Sequence, residues 1–232
     1  MPGAATHLAI ADKLYALWGA ERIRNMPLFF CGNLAPDAVY AKPGFTRADK
    51  RHSHLTVDIP IDAFHDPAKL NLFHDRLNGF LRDFCLPESP NRDLYIGYAV
   101  HLMADELVNT TRRTSFNRLM FSESVPEAER ALFERVMADI DSADRLVCAQ
   151  YPYQQDIIAA VESVWDYEVP GYVGAAELNN SKRYVLSKLR NPAPPVTLTY
   201  YSYEDAVHFI DYAVQVIAER LSGTNSFVSV FG

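Results

Sequence analysis

Apolar residues recur every three or four positions along most of the chain, which is the period of an α-helix. Residues 5–18 show this spacing before a glycine, with apolar positions at Leu8, Ile10, Leu14, Leu17 and Trp18. The same period predicts further helices over residues 66–84, 92–110, 126–149, 154–166, 180–190 and 203–221. The best strand signal, "VTLTYYSY", stands alone. The pattern therefore predicts an all-α fold.

Residues 26–61 interrupt the helical pattern. They contain four prolines and two glycines, which predicts a long loop with a short helical turn after Pro36. Aromatic and aliphatic residues are frequent in the first half of this segment, "MPLFFCGNLAPDAVY". We therefore expect the long loop after the first helix to be ordered and packed against the core.

The predicted helix over 92–110 carries two polar residues in an apolar run, "GYAVHLMADE". His101 and Asp105 are four residues apart and therefore share one face of the helix. Apolar neighbours occupy the other angles, so the helix is expected to be buried nearly all round. A buried, ionised aspartate is costly unless it is paired or binds a metal. The pair therefore predicts either a His–Asp hydrogen bond in the core or part of a metal site.

Three other segments offer possible metal ligands. His7 lies in "THLAIAD", Asp37 in "GNLAPD" and His54 in "DKRHSHL". Taken singly, each fits a capping, core or surface position. Together with His101 and Asp105 they form a set of five nitrogen and oxygen ligands from four segments. Zinc sites need three or four such groups, and two zinc ions bridged by one carboxylate would use all five.

The order "THLxxA", "GNLAPD", "SHL" and "GYxxHLxxD" resembles the bacterial zinc-dependent phospholipase C family, which is all-helical and related in fold to the S1/P1 nucleases. The resemblance covers roughly residues 5–110. The length of 232 residues suits one large domain better than two, so we expect one helical domain over residues 1–232. Carried over residue by residue, it implies that Asp37, His54 and His101 bind one Zn²⁺. Asp105 would then bridge to a second Zn²⁺ bound by His7. A third ion is not expected, because His208 is the only histidine after Asp105.

By this resemblance we expect a phosphodiesterase that hydrolyses a small phosphoester or a phospholipid with a metal-bound hydroxide. Asp37 is then a candidate for both ligand and proton acceptor. Arg112 follows Asp105 by seven residues and, if the helix continues, lies on the same face. There its guanidinium could bind a phosphate through two hydrogen bonds, whereas the alternative is an arginine at a solvated helix end.

Two alternative functions remain open. The first is an HD-type metal phosphohydrolase acting on nucleotides, because "FHD" occurs twice, with His65 beside Asp66 and His74 beside Asp75. The second is a non-catalytic helical protein with a structural metal, which would have a closed site of four ligands.

Composition and charge bear on nucleic-acid binding, on location in the cell and on membrane spans. The net charge of −7 over 232 residues argues against a broad nucleic-acid-binding face. Three dispersed cysteines predict a reduced, cytoplasmic protein. The first residues do not resemble a signal peptide, and no apolar run reaches the roughly 18 residues that a transmembrane helix needs.

Overall fold

The computed structural model describes residues 3–111, 127–151, 156–191, 194, 198–223 and 227–231. Within these residues the regular secondary structure is helical, which confirms the all-α prediction. The α-helices are α1 Ala4–Arg22, α2 Met26–Leu34, α3 Arg47–Ser53, α4 Pro67–Phe84, α5 Arg92–Thr110, α6 Glu127–Gln150, α7 Asp156–Ser163, α8 Ala175–Arg190 and α9 Tyr203–Leu221. The described residues contain no β-strand, and their one isolated bridge joins Val169 and Val173.

The segment 26–61 is the main correction to the predicted fold. It is ordered and packed, as expected, but it is largely helical rather than a loop. It contains α2, α3 and a 3₁₀ helix over Pro36–Ala41, and a second 3₁₀ helix begins at its end, over Ile61–His65. Pro27 and Pro36 lie in the first turns of their helices, where the missing N–H has no intrahelical partner to lose. These prolines therefore begin helices here instead of breaking them.

Helices α2 and α5 cross in backbone contact, and two glycines allow it. A Cβ atom on Gly97 would lie 2.0 Å from the carbonyl oxygen of Phe29, and one on Gly32 would lie 1.8 Å from the carbonyl oxygen of Leu94. No larger residue fits either position without separating the helices. The crossing places the end of α2 directly against the middle of α5, where His101 lies.

Helix α5 is the centre of the molecule. Its residues are buried from Arg92 to Asn109, and the buried apolar side chains of the surrounding helices form one continuous cluster with it. The C-terminal segment 227–231 packs back onto this core, where Phe231 contacts Trp18 with a ring-centroid distance of 4.9 Å. Among the residues described, no helix is long and apolar enough to cross a membrane.

Candidate metal centre

Four separate segments bring the five predicted ligands to one place. Helix α1 supplies His7, and the first 3₁₀ helix supplies Asp37. The residue that follows α3 is His54, while α5 supplies His101 and Asp105. Their side chains form two overlapping groups that could hold a metal, His7–His101–Asp105 and Asp37–His54–His101. Four of the five are buried, and the side chain of Asp37 is 32% exposed.

The donor atoms have the spacing of ligands around a common ion. Asp105 directs Oδ1 to His7, with a distance of 3.5 Å to Nε2, and Oδ2 to His54, 3.4 Å from its Nε2. His101 Nε2 lies 3.8 Å from the same Oδ2. These distances exceed those of good N–H···O hydrogen bonds. They are close to the separation of about 3.4 Å that two ligands have when each binds zinc tetrahedrally at about 2.0–2.1 Å.

The histidine rings are oriented with Nε2 towards the cluster. His101 Nδ1 donates to the Asn33 carbonyl oxygen at 2.9 Å, and since a carbonyl only accepts, the proton lies on Nδ1. His54 Nδ1 lies 2.9 Å from the Ser53 hydroxyl and 3.1 Å from the Lys50 carbonyl oxygen, so the ring is held on the side away from the cluster. Nε2 of His101 therefore directs a lone pair at the cluster and Nε2 of His54 faces it, with the other ring nitrogen of each held by protein, which is how metal-binding histidines are held.

Unsatisfied buried atoms provide a test of whether these residues fit a metal. Nε2 of His7, His54 and His101 and both carboxylate oxygens of Asp105 are buried without a hydrogen-bond partner within the described structure. Buried polar atoms are seldom left unpaired, because the loss of hydration costs about 1–3 kcal/mol for each group. Divalent cations bound at this centre would satisfy these atoms, so the donor set fits zinc.

The charges of the ligands also suit a cation. Burial lowers the pKa of His101 to about 3, and His7 adds to that effect, so the ring is neutral. Burial acts to raise the pKa of the Asp105 carboxyl, but the neighbouring histidines outweigh it and hold that pKa below its usual range. The pKa of Asp37 is likewise held well below its usual range by His54, His101 and Lys50, against the effect of burial. Neutral imidazoles and ionised carboxylates are the forms that bind metal.

The position of His7 depends on a residue far away in sequence. Asp144, on α6, accepts hydrogen bonds from the Thr6 backbone N–H at 2.7 Å and from the Thr6 hydroxyl at 2.8 Å. It therefore caps the first turn of α1 from another helix, directly beside His7. No sequence pattern indicates this role, because an aspartate on an amphipathic helix is usually only solvated.

The turn that carries His54 is held by contacts from two other helices. Leu55 adopts a left-handed conformation with φ 57°, which is uncommon for a residue with a side chain. Arg76, on α4, donates to the carbonyl oxygens of Leu55 and Val57. The Tyr98 hydroxyl, on α5, donates to the carbonyl oxygen of Ser53. These contacts fix the backbone on both sides of the ligand.

Two cavities reach the centre. One, of about 560 Å³, has His54 and Asp105 in its lining and an apolar wall formed by Phe45, Ile59, Phe64, Phe73 and Leu102. The other, of about 850 Å³, reaches Asp37 and is lined by the first 3₁₀ helix, α6 and α8. A small molecule therefore has access to the ligands.

The histidines of the HD-type alternative have other contacts. Asp66 accepts from the backbone N–H of Ala68 and caps α4. His74 Nε2 lies 3.9 Å from Glu106 Oε1, and its ring packs against Phe227. Neither "FHD" pair belongs to a metal-capable group among the described residues, so the site favours the first arrangement. Arg112 lies outside the described residues, and its role in phosphate binding stays a prediction.

Comparison of the chain with protein-family models, with curated proteins and with solved structures finds no match.

Proposed function

We propose that this protein is a zinc-dependent phosphoester hydrolase with a phospholipase C-like reaction. The observation that carries the proposal is the convergence of five buried donor atoms that have no hydrogen-bond partner within the described structure. We also propose that the helical fold is of the phospholipase C/P1 nuclease type. The order of the ligand-bearing segments along the chain supports this assignment.

The five residues divide into two metal positions that share Asp105. Asp37, His54 and His101 would hold one ion together with Asp105 Oδ2, and His7 would hold the other with Asp105 Oδ1. Zinc supplies a Lewis acid for phosphoryl oxygens and lowers the pKa of a coordinated water to about 7. The two metal-capable groups among the described residues, which have His101 in common, support one or two ions.

Lys50 is the residue best placed to bind the substrate's phosphoryl group. Its Nζ lies 3.2 Å from Asp37 Oδ1 and 2.6 Å from the Tyr40 hydroxyl, on the wall of the smaller cavity. Burial acts to lower the pKa of Lys50, but the charges of Asp37 and Asp105 outweigh it and raise that pKa. The ammonium is therefore charged, and it can hold a phosphoryl oxygen and offset the charge that develops during hydrolysis.

Access to the centre favours an enzyme over a structural metal protein. A structural zinc site is closed by four protein ligands and has no open position. Here the Asp37 side chain is 32% exposed, and cavities reach three of the five ligands. A substrate could therefore approach the ions directly.

Replacement of His101 by alanine tests the proposal. Zinc content is measured by elemental analysis, and activity is measured on bis(p-nitrophenyl) phosphate. His101→Ala should lose metal and lower kcat/KM by at least about tenfold, which corresponds to about 1.4 kcal/mol of transition-state stabilisation. His208→Ala, an exposed histidine on α9, is the matched control and should change neither quantity.

Two results would contradict the proposal. One is full zinc occupancy and full activity in His101→Ala, which would make His101 a core histidine. The other is a wild-type protein that takes up less than roughly half an equivalent of zinc and hydrolyses no phosphoester after zinc is added.

A further inference from the structure

One face of α3 carries positive charge from the cavity rim to the metal centre. Arg47, Lys50, Arg51 and His54 are spaced as i, i+3, i+4 and i+7, so they lie on one side of the helix. All four line the 560 Å³ cavity. The charged face therefore ends at a proposed metal ligand.

The two arginines of this face, Arg47 and Arg51, form no ion pair within the described part of the chain. Both side chains are exposed, and neither has an ion-pair partner among the residues that the structure describes. The only acid of α3, Asp49, faces Lys42 and the Thr46 cap instead. Because no carboxylate of the described residues pairs with them, the two guanidinium groups are available to a ligand.

The carboxylates that line the same cavity are engaged elsewhere. Asp105 belongs to the metal centre, and the Glu106 carboxylate forms an ion pair with Arg220. Neither carboxylate is therefore free to neutralise Arg47 or Arg51. The rim of the cavity is cationic, while its wall is apolar.

We infer that this cavity binds a phosphoester that carries an apolar chain and a second anionic group, with the second group held by Arg47 and Arg51. The reacting phosphoryl group would lie beside Lys50 and His54, which rests on the proposed function. The apolar chain would lie along the wall that includes Phe45 and Phe64. Guanidinium groups suit this task because their planar donors match carboxylate and phosphate oxygens.

The helix sets the distance between the two anionic groups. At a rise of about 1.5 Å per residue, the Cα atoms of Arg51 and Arg47 lie about 4.5 and 10 Å along α3 from His54. The second anion is therefore expected about 5–10 Å from the reacting phosphorus. A substrate with a quaternary ammonium in that position would instead be repelled by two guanidinium groups.

Binding of two unreactive probes tests the inference without catalysis. Hexylphosphonate and hexane-1,6-bisphosphonate have the same apolar chain and differ only in the second anionic group. Calorimetry on the zinc-loaded protein should show at least about tenfold tighter binding of the bisphosphonate, or about 1.4 kcal/mol. The double variant Arg47→Gln/Arg51→Gln should lose most of this preference. Arg82→Gln, an exposed arginine on α4, should retain it.

The outcomes separate this inference from the proposed function. Equal affinities of the two probes for the wild type would overturn the inference, as would an undiminished preference in the double variant or an equal loss in Arg82→Gln. A protein that shows the preference but hydrolyses no phosphoester would keep the anion site and lose the hydrolase. A protein that hydrolyses phosphoesters but binds both probes equally would keep the proposed function and lose the second anion site.

Discussion

Asp105 is the residue on which the candidate centre depends, because its two carboxylate oxygens face different histidines. Oδ1 is directed to His7 and Oδ2 to His54. The side chain lies on a buried helix that packs against α2 without space for adjustment. The backbone that carries Asp105 is therefore held by this packing, which favours a preorganised site.

Lys182 is a buried charged residue outside the candidate metal centre, and its burial affects both its pKa and the stability of the fold. Its side chain has 0% exposure, and its Nζ has no hydrogen-bond partner within the described structure. The ammonium lies over the Trp165 ring at 4.3 Å. Burial lowers the pKa of Lys182, so the unfolded chain binds this proton more tightly than the folded one. The free-energy cost of keeping the buried ammonium charged is largest at neutral pH. It decreases as the pH rises towards about 10.4, the pKa of an unperturbed lysine.

Lys182→Met should therefore be about as stable as the wild type, or more stable, near pH 7. As the pH rises towards about 10, the wild type should gain stability relative to the variant. Urea unfolding at both pH values measures the difference in the free energy of unfolding. Lys188→Met, on the exposed face of the same helix, is the control. A pH-independent difference for Lys182→Met would show that the buried ammonium is not destabilising.

Only part of the site could be predicted from the sequence. The His101–Asp105 pair was recognisable because four residues is a fixed spacing on a helix. His7 and Asp37 were placed by resemblance, since neither has a local signal of its own. Supporting residues such as Ser53 and Asp144 were not found, because their partners are set by tertiary packing and not by spacing along the chain.

At the scale of elements, the first turn of α1 depends on α6. Asp144 accepts from the N–H groups of both Ala5 and Thr6, so it supplies the cap that α1 lacks from its own residues. Asp144→Ala should lower the free energy of unfolding by about 1 kcal/mol, the usual value of a lost helix cap. It should also weaken zinc binding at the position that includes His7.

Asp141→Ala is the matched control, because Asp141 is exposed one turn earlier on α6. Zinc titration and thermal unfolding of both variants measure the two effects. If Asp144→Ala loses stability but keeps full affinity for two zinc ions, the cap supports the fold without positioning His7. If neither quantity changes, the cap has no measurable role.

The elements themselves were largely predictable. Helices α5 and α9 have the predicted bounds, 92–110 and 203–221, because long apolar periodicity identifies buried helices well. The segment 26–61 was predicted wrongly as a loop. Its helices are short, and proline is compatible with both a loop and a first helical turn, so local sequence does not distinguish the two.

At the scale of the whole molecule, the candidate centre joins segments that are far apart in the chain. His7 and Asp105 are separated by almost 100 residues, and α1, α3 and α5 meet only in the folded protein. The unfolded chain holds no such arrangement of ligands. Metal binding is therefore expected to stabilise the folded state as a whole.

Zinc binding should therefore raise the thermal stability of the folded chain. Zinc at about 100 times its dissociation constant should add about 2.7 kcal/mol to the free energy of unfolding. For a chain of this size, 1 kcal/mol corresponds to about 2–4 °C, so the melting temperature should rise by about 5–11 °C and fall again with a chelator. Asp105→Asn removes the bridging charge and should lose most of this shift. An equal shift in Asp105→Asn and wild type would place the bound zinc elsewhere, and no shift in the wild type would contradict the metal centre itself.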